Sequence, residues 1–585
     1  MQRRTFVKGM AATSVLALSH TQVEAKALPI ISNEDTLSGK EFFLTIGYKK
    51  VNLTGSTAIA TTVNGQISGP TLLWQEGDTI TLHVTNTLKK SSSIHWHGII
   101  LPTDMDGVPG ISYDGIAPGE TFTYTFKVKQ HGTYWYHSHS GFQEQTGVYG
   151  AIVIKPKRKE PFTYNKDYVI QLSDWSDEKP ESIYRKLKLS SDYYNFSQRT
   201  IGTFIDEVKK KGLSKAFGDR KMWNQMRMSD VDIADVTGYT YEHLMNGQPS
   251  SRPFVALFKK GEKVRLRLVN SAAMTFFDVR IPGLKMTVVA ADGNHVKPVT
   301  VDELRIGVAE TYDVIVHPKK NKAYAIFAQS MERTGYALGM LTPSSTLQAK
   351  TPKMDPVPTL KMVDMGMDMS KMKMKKGENS GMKCSSAMKM PSKNSINKKG
   401  MKKYKWAAME AQKYPITKLP SAKGVQTTMT AMSPKYRLDD PGVGLRNSKR
   451  KVLTYADLKN RYSTKYDKKP DREIILHLTG NMDRYMWSIN GIKYADSKPL
   501  VFHYGERLRI TFINDTMMNH PMHLHGLWSD LETGDDNHLV RKHTVIVQPG
   551  SKISYRVTVD ARGAWAYHCH MLYHMLGMFR KVVVV

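Results

Sequence analysis

Three homologous all-β domains of the sandwich class are the fold expected from this 585-residue sequence. A ten-residue segment of apolar alternation recurs three times, an Asn-Gly turn precedes each copy, and a second repeated segment ties the first domain to the last. A chain of this length also exceeds what one hydrophobic core can organise.

In chain order, residues 1–27 come first. Arg3-Arg4 with Thr5, Phe6, Val7 and Lys8 forms a twin-arginine pattern, followed by an apolar stretch from Met10 to Leu18 and small residues at Ala25 and Ala27. This is the layout of an export signal, and the apolar stretch is too short to span a bilayer. Export to the periplasm without stable membrane insertion is therefore expected. The first repeat, 77–86, follows Asn64-Gly65 and places a domain at 36–157. The second, 261–270, follows Asn246-Gly247 in a domain at 165–350; within it 181–236 reads as a partly helical excursion. The third, 505–514, follows Asn490-Gly491 in a domain at 430–585. The first two copies lie roughly 180 residues apart and the last two roughly 240, so about 60 extra residues separate them. That excess coincides with a Met- and Lys-rich low-complexity insert, expected at 351–425.

Composition excludes several classes. The only cysteines are Cys384 and Cys569, too few for a disulfide framework in an exported chain of this size. The net charge of +31 is compatible with a basic surface, and lysines such as Lys209, Lys210 and Lys211 read as solvated. Export argues against a nucleic-acid partner.

The chemistry lies in the histidines. Four His-x-His pairs occur, His95/His97, His137/His139, His523/His525 and His568/His570. The segments 132–139 and 563–570 match, with Pro118-Gly119 and Pro549-Gly550 at the same distance before them. The corresponding stretch of the middle domain, 323–330, holds no histidine, so that domain reads as a metal-free spacer. Residues two apart in a strand share a face and the one between faces away. His568 and His570 can thus serve one cluster while Cys569 serves another metal. Ser138 takes the place of Cys569 in the first domain. A thiolate, two imidazoles and a weak thioether form a blue-copper set; Cys569, His520, His574 and a methionine just downstream are the candidates.

His95-Trp96-His97-Gly98, His137-Ser138-His139, the segment from His520 through Pro521, His523 and His525 to Gly526, and His568-Cys569-His570 resemble the four copper motifs of multicopper oxidases. The closer likeness is to the periplasmic copper-resistance protein A group. It runs from the twin-arginine start through 101–110, Asp232 to Val236 and 244–247 to Gly577-Met578-Phe579-Arg580, and that group also has a Met-rich insertion. The resemblance implies cupredoxin-like Greek-key sandwiches holding four coppers. It assigns His520, Cys569 and His574 to the type 1 ion and His95 and His523 to the type 2 ion. It assigns His97, His137 and His570 to one type 3 ion and His139, His525 and His568 to the other. The axial thioether is assigned to Met578, one residue closer to His574 than the family's usual spacing, with Met575 as its competitor. Asp106 matches an acidic position near the cluster and is either a proton relay or an ordinary Asp-Gly turn. The implied reaction oxidises Cu(I), with phenols or catechols as accessory reductants, and reduces dioxygen to water in the service of copper tolerance, among other periplasmic copper-handling proteins. The rivals are a laccase-like phenol oxidase and a copper-sequestering protein.

The insert carries Met362, Met365, Met367, Met369, Met372, Met374, Met382, Met388 and Met390 with no amphipathic period. Thioethers favour Cu(I), so capture of Cu(I) is expected there rather than a buried core face. Cys384 is a candidate additional ligand.

Overall fold

The computed structural model describes residues 36–367 and 406–585, apart from 196, 226, 227 and 466. Six β-sheets pair into three sandwiches, of four and five strands, seven and five, and eight and five. The first unites a sheet built on Glu41–Asn52 and Thr79–Asn86 with one containing His95–His97 and Gly132–His137. The last contains His520–Leu524, Gly563–Cys569 and Phe579–Val584 in its five-stranded sheet. The all-β expectation and its threefold repeat hold.

The repeat has a physical cause at both ends of the recurring strand. In each Asn-Gly turn both residues take positive φ: Asn64 and Gly65 at 51° and 74°, Asn246 and Gly247 at 51° and 71°, Asn490 and Gly491 at 52° and 73°. That pair of conformations matches the twist of a hairpin and is accessible to Asn and Gly. Each Asn also accepts a backbone N–H from a neighbouring strand, at Thr45, Gln171 and His477. The asparagine that ends each alternating strand, Asn86, Asn270 or Asn514, is fully buried. Its amide donates to two backbone carbonyls, Lys90 and Ile116, Thr275 and Ile306, or Met518 and Val547. Its oxygen accepts from the N–H two residues on, at Leu88, Ala272 or Thr516. One side chain thus satisfies the backbone of a buried loop in all three sandwiches, which is why the polar stop recurs.

The helical excursion consists of Pro180–Leu189, Ile201–Lys211 and Leu213–Gln225. The second helix begins with a reciprocal cap between Thr200 and Thr203. Lys188, at the end of the first helix, donates to the carbonyls of Arg484 and Tyr485 and fastens the excursion to the last sandwich. No helix among the described residues is long and apolar enough to cross a membrane.

Part of the insert corrects an expectation. Met365 is fully buried, and Met362 and Met367 are half-buried against the main core. The short turn that carries them packs on the last sandwich, where the Ser433 N–H donates to Gly366 and Arg446 pairs with Asp364 at 2.6 Å. Met365 therefore serves packing, and Met362 and Met367 rest against the same core. Met369, Met372, Met374, Met382, Met388, Met390 and Cys384 lie outside the described residues, as does the expected export signal.

Candidate metal centre

The strands bring the ten histidines and one cysteine predicted for the copper sites into two adjoining groups. In the first sandwich His95–His97 runs antiparallel to Gly132–His137, with His95 opposite His137. In the last, His520–Leu524 runs antiparallel to Gly563–Cys569, with His523 opposite His568. Thr103 donates to the carbonyl of Ala564 and holds the two sandwiches face to face. Three sets result, each with ligand atoms within 4.8 Å of one another: His95 with His523 and His525, His97 with His137 and His570, and His139 with His525 and His568.

The fourth set is His520, Cys569 and His574. The Cys569 sulfur lies 3.5 Å from His520 Nδ1 and 3.8 Å from His574 Nδ1. Cys569 and its two neighbours thus point to different sets, as strand alternation requires. The Cys569 N–H donates to the Met578 carbonyl at 3.0 Å. Met578 is fully buried in the same core, whereas Met575 is half-buried among Val108, Ala566 and Phe579.

Hydrogen bonds select the nitrogen that each ring turns inward. His95 Nδ1 donates to the Asp106 carbonyl at 2.7 Å, and His525 Nδ1 donates to the Asp106 carboxylate at 2.9 Å. His137 Nδ1 pairs with Glu144 at 2.9 Å. His523 Nδ1 donates to the His543 carbonyl at 2.6 Å, and His568 Nδ1 to the Cys569 carbonyl at 3.0 Å. At the cysteine set the pattern inverts. His520 Nε2 bonds Thr516 Oγ1 at 2.7 Å and His574 Nε2 donates to Asp235 at 2.6 Å, leaving both Nδ1 atoms toward the sulfur. Gly107 is required beside Asp106: its φ is 79°, and a Cβ there would stand 1.8 Å from the Ile94 carbonyl oxygen.

The donor set fits copper. His525 Nε2 and His568 Nε2 lie 3.0 Å apart, and His137 Nε2 and His570 Nε2 lie 3.3 Å apart. The Nδ1 atoms of these rings other than His570 are occupied, so lone pairs face each other and attract a shared cation. His95 Nε2, His523 Nε2 and both nitrogens of His97 are buried with no hydrogen-bond partner. Burial, and secondarily the mutual charge of neighbouring imidazoles, holds His97, His139, His523, His525 and His570 well below the usual histidine range. Burial brings His568 to about 4. The rings are therefore neutral ligands at ordinary pH. Burial also pushes the Cys569 thiol up, so its thiolate needs a cation beside it. The two imidazoles, thiolate and nearby thioether suit a blue-copper ion.

Apart from Asp106, sequence reasoning missed the residues that orient these rings. The middle sandwich supplies Asp235, so it is more than a spacer, although no histidine or cysteine of it enters any set among the described residues. Glu144, seven residues after His137, and Thr516, four before His520, had no motif of their own. An oxygen at short spacing from a His-x-His pair was the available signal.

Comparison with known proteins agrees with this geometry. Three multicopper oxidase family models match residues 45–159, 166–348 and 467–585. Copper resistance protein A of Escherichia coli is 54% identical over 603 aligned residues, covering 100% of this chain and 99% of that protein. The multicopper oxidase MmcO of Mycobacterium tuberculosis is 29% identical over 90% of this chain and 83% of its own length. Among solved structures, Fet3p, a multicopper oxidase that functions in iron import, superposes with a TM-score of 0.62 at 18% identity, covering 94% of this chain and 90% of that one. The laccase from Botrytis aclada gives 0.59 at 21% identity, covering 94% and 88%.

Proposed function

The chain belongs to the multicopper oxidases, oxidoreductases that carry four copper ions, and from that premise we propose that it oxidises Cu(I) in the periplasm and so contributes to copper tolerance. The observation that carries the reading is the placement of Cys569 in one set and His568 and His570 in two others. A single tripeptide then joins the site that accepts electrons to the site that spends them.

In this reading His520, Cys569 and His574 would hold the type 1 copper, with the Met578 thioether as a further weak donor. His95 and His523 would hold the type 2 ion. His97, His137 and His570 would hold one type 3 ion, and His139, His525 and His568 the other. Bound copper supplies one-electron redox cycling and the four-electron reduction of dioxygen to two waters. The chain's own residues supply the rest. Cys569 and its flanking peptide bonds provide a covalent path to His568 and His570. Asp106 touches His95 and His525 from within the protein and is placed to hand protons to the reduced oxygen.

Two observations support a small cation over a bulky phenol as reductant. His520 and His574 are both fully buried. His574 is stacked on Trp487 at 3.8 Å and capped by Asp235, which also accepts from Tyr485. A phenol ring therefore has no bare imidazole edge to rest on. The likeness to a copper resistance protein and the Met-rich insert support the same substrate and its role in tolerance. The twin-arginine start supports the location.

The test is oxygen consumption by the copper-loaded protein with Cu(I) as sole reductant. Steady consumption is expected, faster than with a catechol. Turnover with catechol alone would make it a laccase-like oxidase, and turnover with neither would leave a sequestering protein.

A further inference from the structure

His543 belongs to none of the four copper motifs, yet it adjoins the cluster. It is buried, and its ring meets the ring of His97 edge-on at 4.7 Å with an interplanar angle of 80°. Its Nδ1 is 3.1 Å from Thr544 Oγ1, while its Nε2 is buried with no hydrogen-bond partner. Single nitrogens of His97, His523 and His543 lie within 4.8 Å of one another, the same closeness that marks the other sets. An imidazole nitrogen removed from water without a partner is costly. Three such rings converging on one point is a ligand geometry.

Two further features fix His543 there. Asp292, from the middle sandwich, accepts the backbone N–H groups of His543 and Thr544 at 3.1 Å each and ion-pairs with Lys542 at 3.0 Å. Asp292 and Lys542 are wholly buried, and Lys542 also pairs with Glu310 at 3.0 Å. The clamp therefore sets both the His543 side chain and the His543 carbonyl that orients His523. The second feature is Gly98. A Cβ at that position would stand 2.5 Å from the His543 ring, so the glycine leaves the space that the imidazole fills.

We propose that His543 is a further imidazole donor for the copper held by His523, reaching it from beside His97, with the Asp292–Lys542 pair as its positioning clamp. This inference rests on the copper reading above. A two-histidine site is the weakest of the four by donor count, and a third buried nitrogen strengthens its hold on the ion.

The experiment compares copper-loaded wild type with His543→Asn and His543→Gln after dialysis against a chelator. It measures copper per chain, the blue thiolate absorption and the type 2 electron paramagnetic resonance signal. Wild type is expected to keep four coppers. The variants are expected to keep the blue band and release the type 2 ion about tenfold or more readily, or to retain it with an altered nitrogen hyperfine pattern. The blue band reports a folded last sandwich, and the glutamine variant, close in length to histidine, covers a folding failure of the asparagine variant. Wild-type copper content and an unchanged type 2 signal in a blue variant would overturn the proposal, as would a change confined to the type 3 pair. A wild type that holds fewer than four coppers would instead sink the reading on which it depends.

Discussion

His574 donates its Nε2 proton to Asp235 at 2.6 Å, and the two residues belong to different sandwiches. Both are fully buried. Burial pushes the Asp235 carboxyl up to about 7, partly offset by the hydrogen bond from Tyr485. The contact fixes the tautomer of His574 and leaves its Nδ1 toward Cys569. Asp235→Asn is expected to weaken type 1 copper retention by about tenfold to a hundredfold and to move its reduction potential. Copper titration and redox titration of the blue band check this; unchanged values in both would remove Asp235 from the site.

Met578 and Met575 make opposite predictions. Met578 is wholly buried beside Cys569, so Met578→Leu is expected to raise the type 1 reduction potential by removing a weak donor to the oxidised ion. Met575→Leu should leave it unaltered. Redox titration of both variants decides, and the reverse pattern would move the axial assignment to Met575.

Asp106→Asn preserves an oxygen that can accept from His525 Nδ1 but replaces a carboxylate able to pass on a proton with an amide that is not. Copper content is expected to hold while turnover falls about a hundredfold and its pH profile changes shape. Wild-type turnover with a wild-type profile would reduce Asp106 to a turn residue that orients ligands.

His243, in the middle sandwich, gives a pH prediction apart from the copper ligands. Burial lowers it from 6.5 to about 4, partly offset by the Asp174 carboxylate. A depressed histidine pKa means that the unfolded chain takes up the proton first as pH falls. The stability associated with neutral His243 is complete above 6.5 and is lost as pH drops toward about 4. The loss is about 3 kcal/mol by linkage. Thermal unfolding of His243→Gln should therefore show a shallower acid dependence over that interval than wild type. Parallel curves would contradict it.

Deletion of 368–405 removes Met369, Met372, Met374, Met382, Met388, Met390 and Met401 together with Cys384. At two or three thioethers per ion, the deletion is expected to cost about two or three bound Cu(I) per chain. It should slow Cu(I) oxidation while leaving catechol oxidation unaffected. Equal Cu(I) stoichiometry and equal rates would leave the insert without a role in capture.

The four paired-histidine motifs were legible because a strand turns a two-residue spacing into a shared face, and that rule acts within three residues. The Asn-Gly turns were legible for the same reason: their conformation is local. Asp235, Glu144 and Asp292 were not. Each acts on a ring that the chain reaches only after folding, with Asp235 and His574 separated by 339 positions, and a lone carboxylate carries no periodicity. Met365 was misread because low complexity hid a turn that packs against the last sandwich. Its neighbour Asp364, paired with Arg446, belongs to that folded part.

The division of the two proposed type 3 sets between the first and last sandwiches has a consequence for biosynthesis. Neither end of the chain alone possesses a full set of donors for either ion, because each set draws histidines from near residue 100 or 140 and from beyond residue 520. A nascent or truncated polypeptide offers only fragments, however well its own sandwich has formed. On the assignment proposed above, capture of the paired ions is tied to completion of the whole polypeptide, and a chain interrupted before its last strands lacks a full donor set for either.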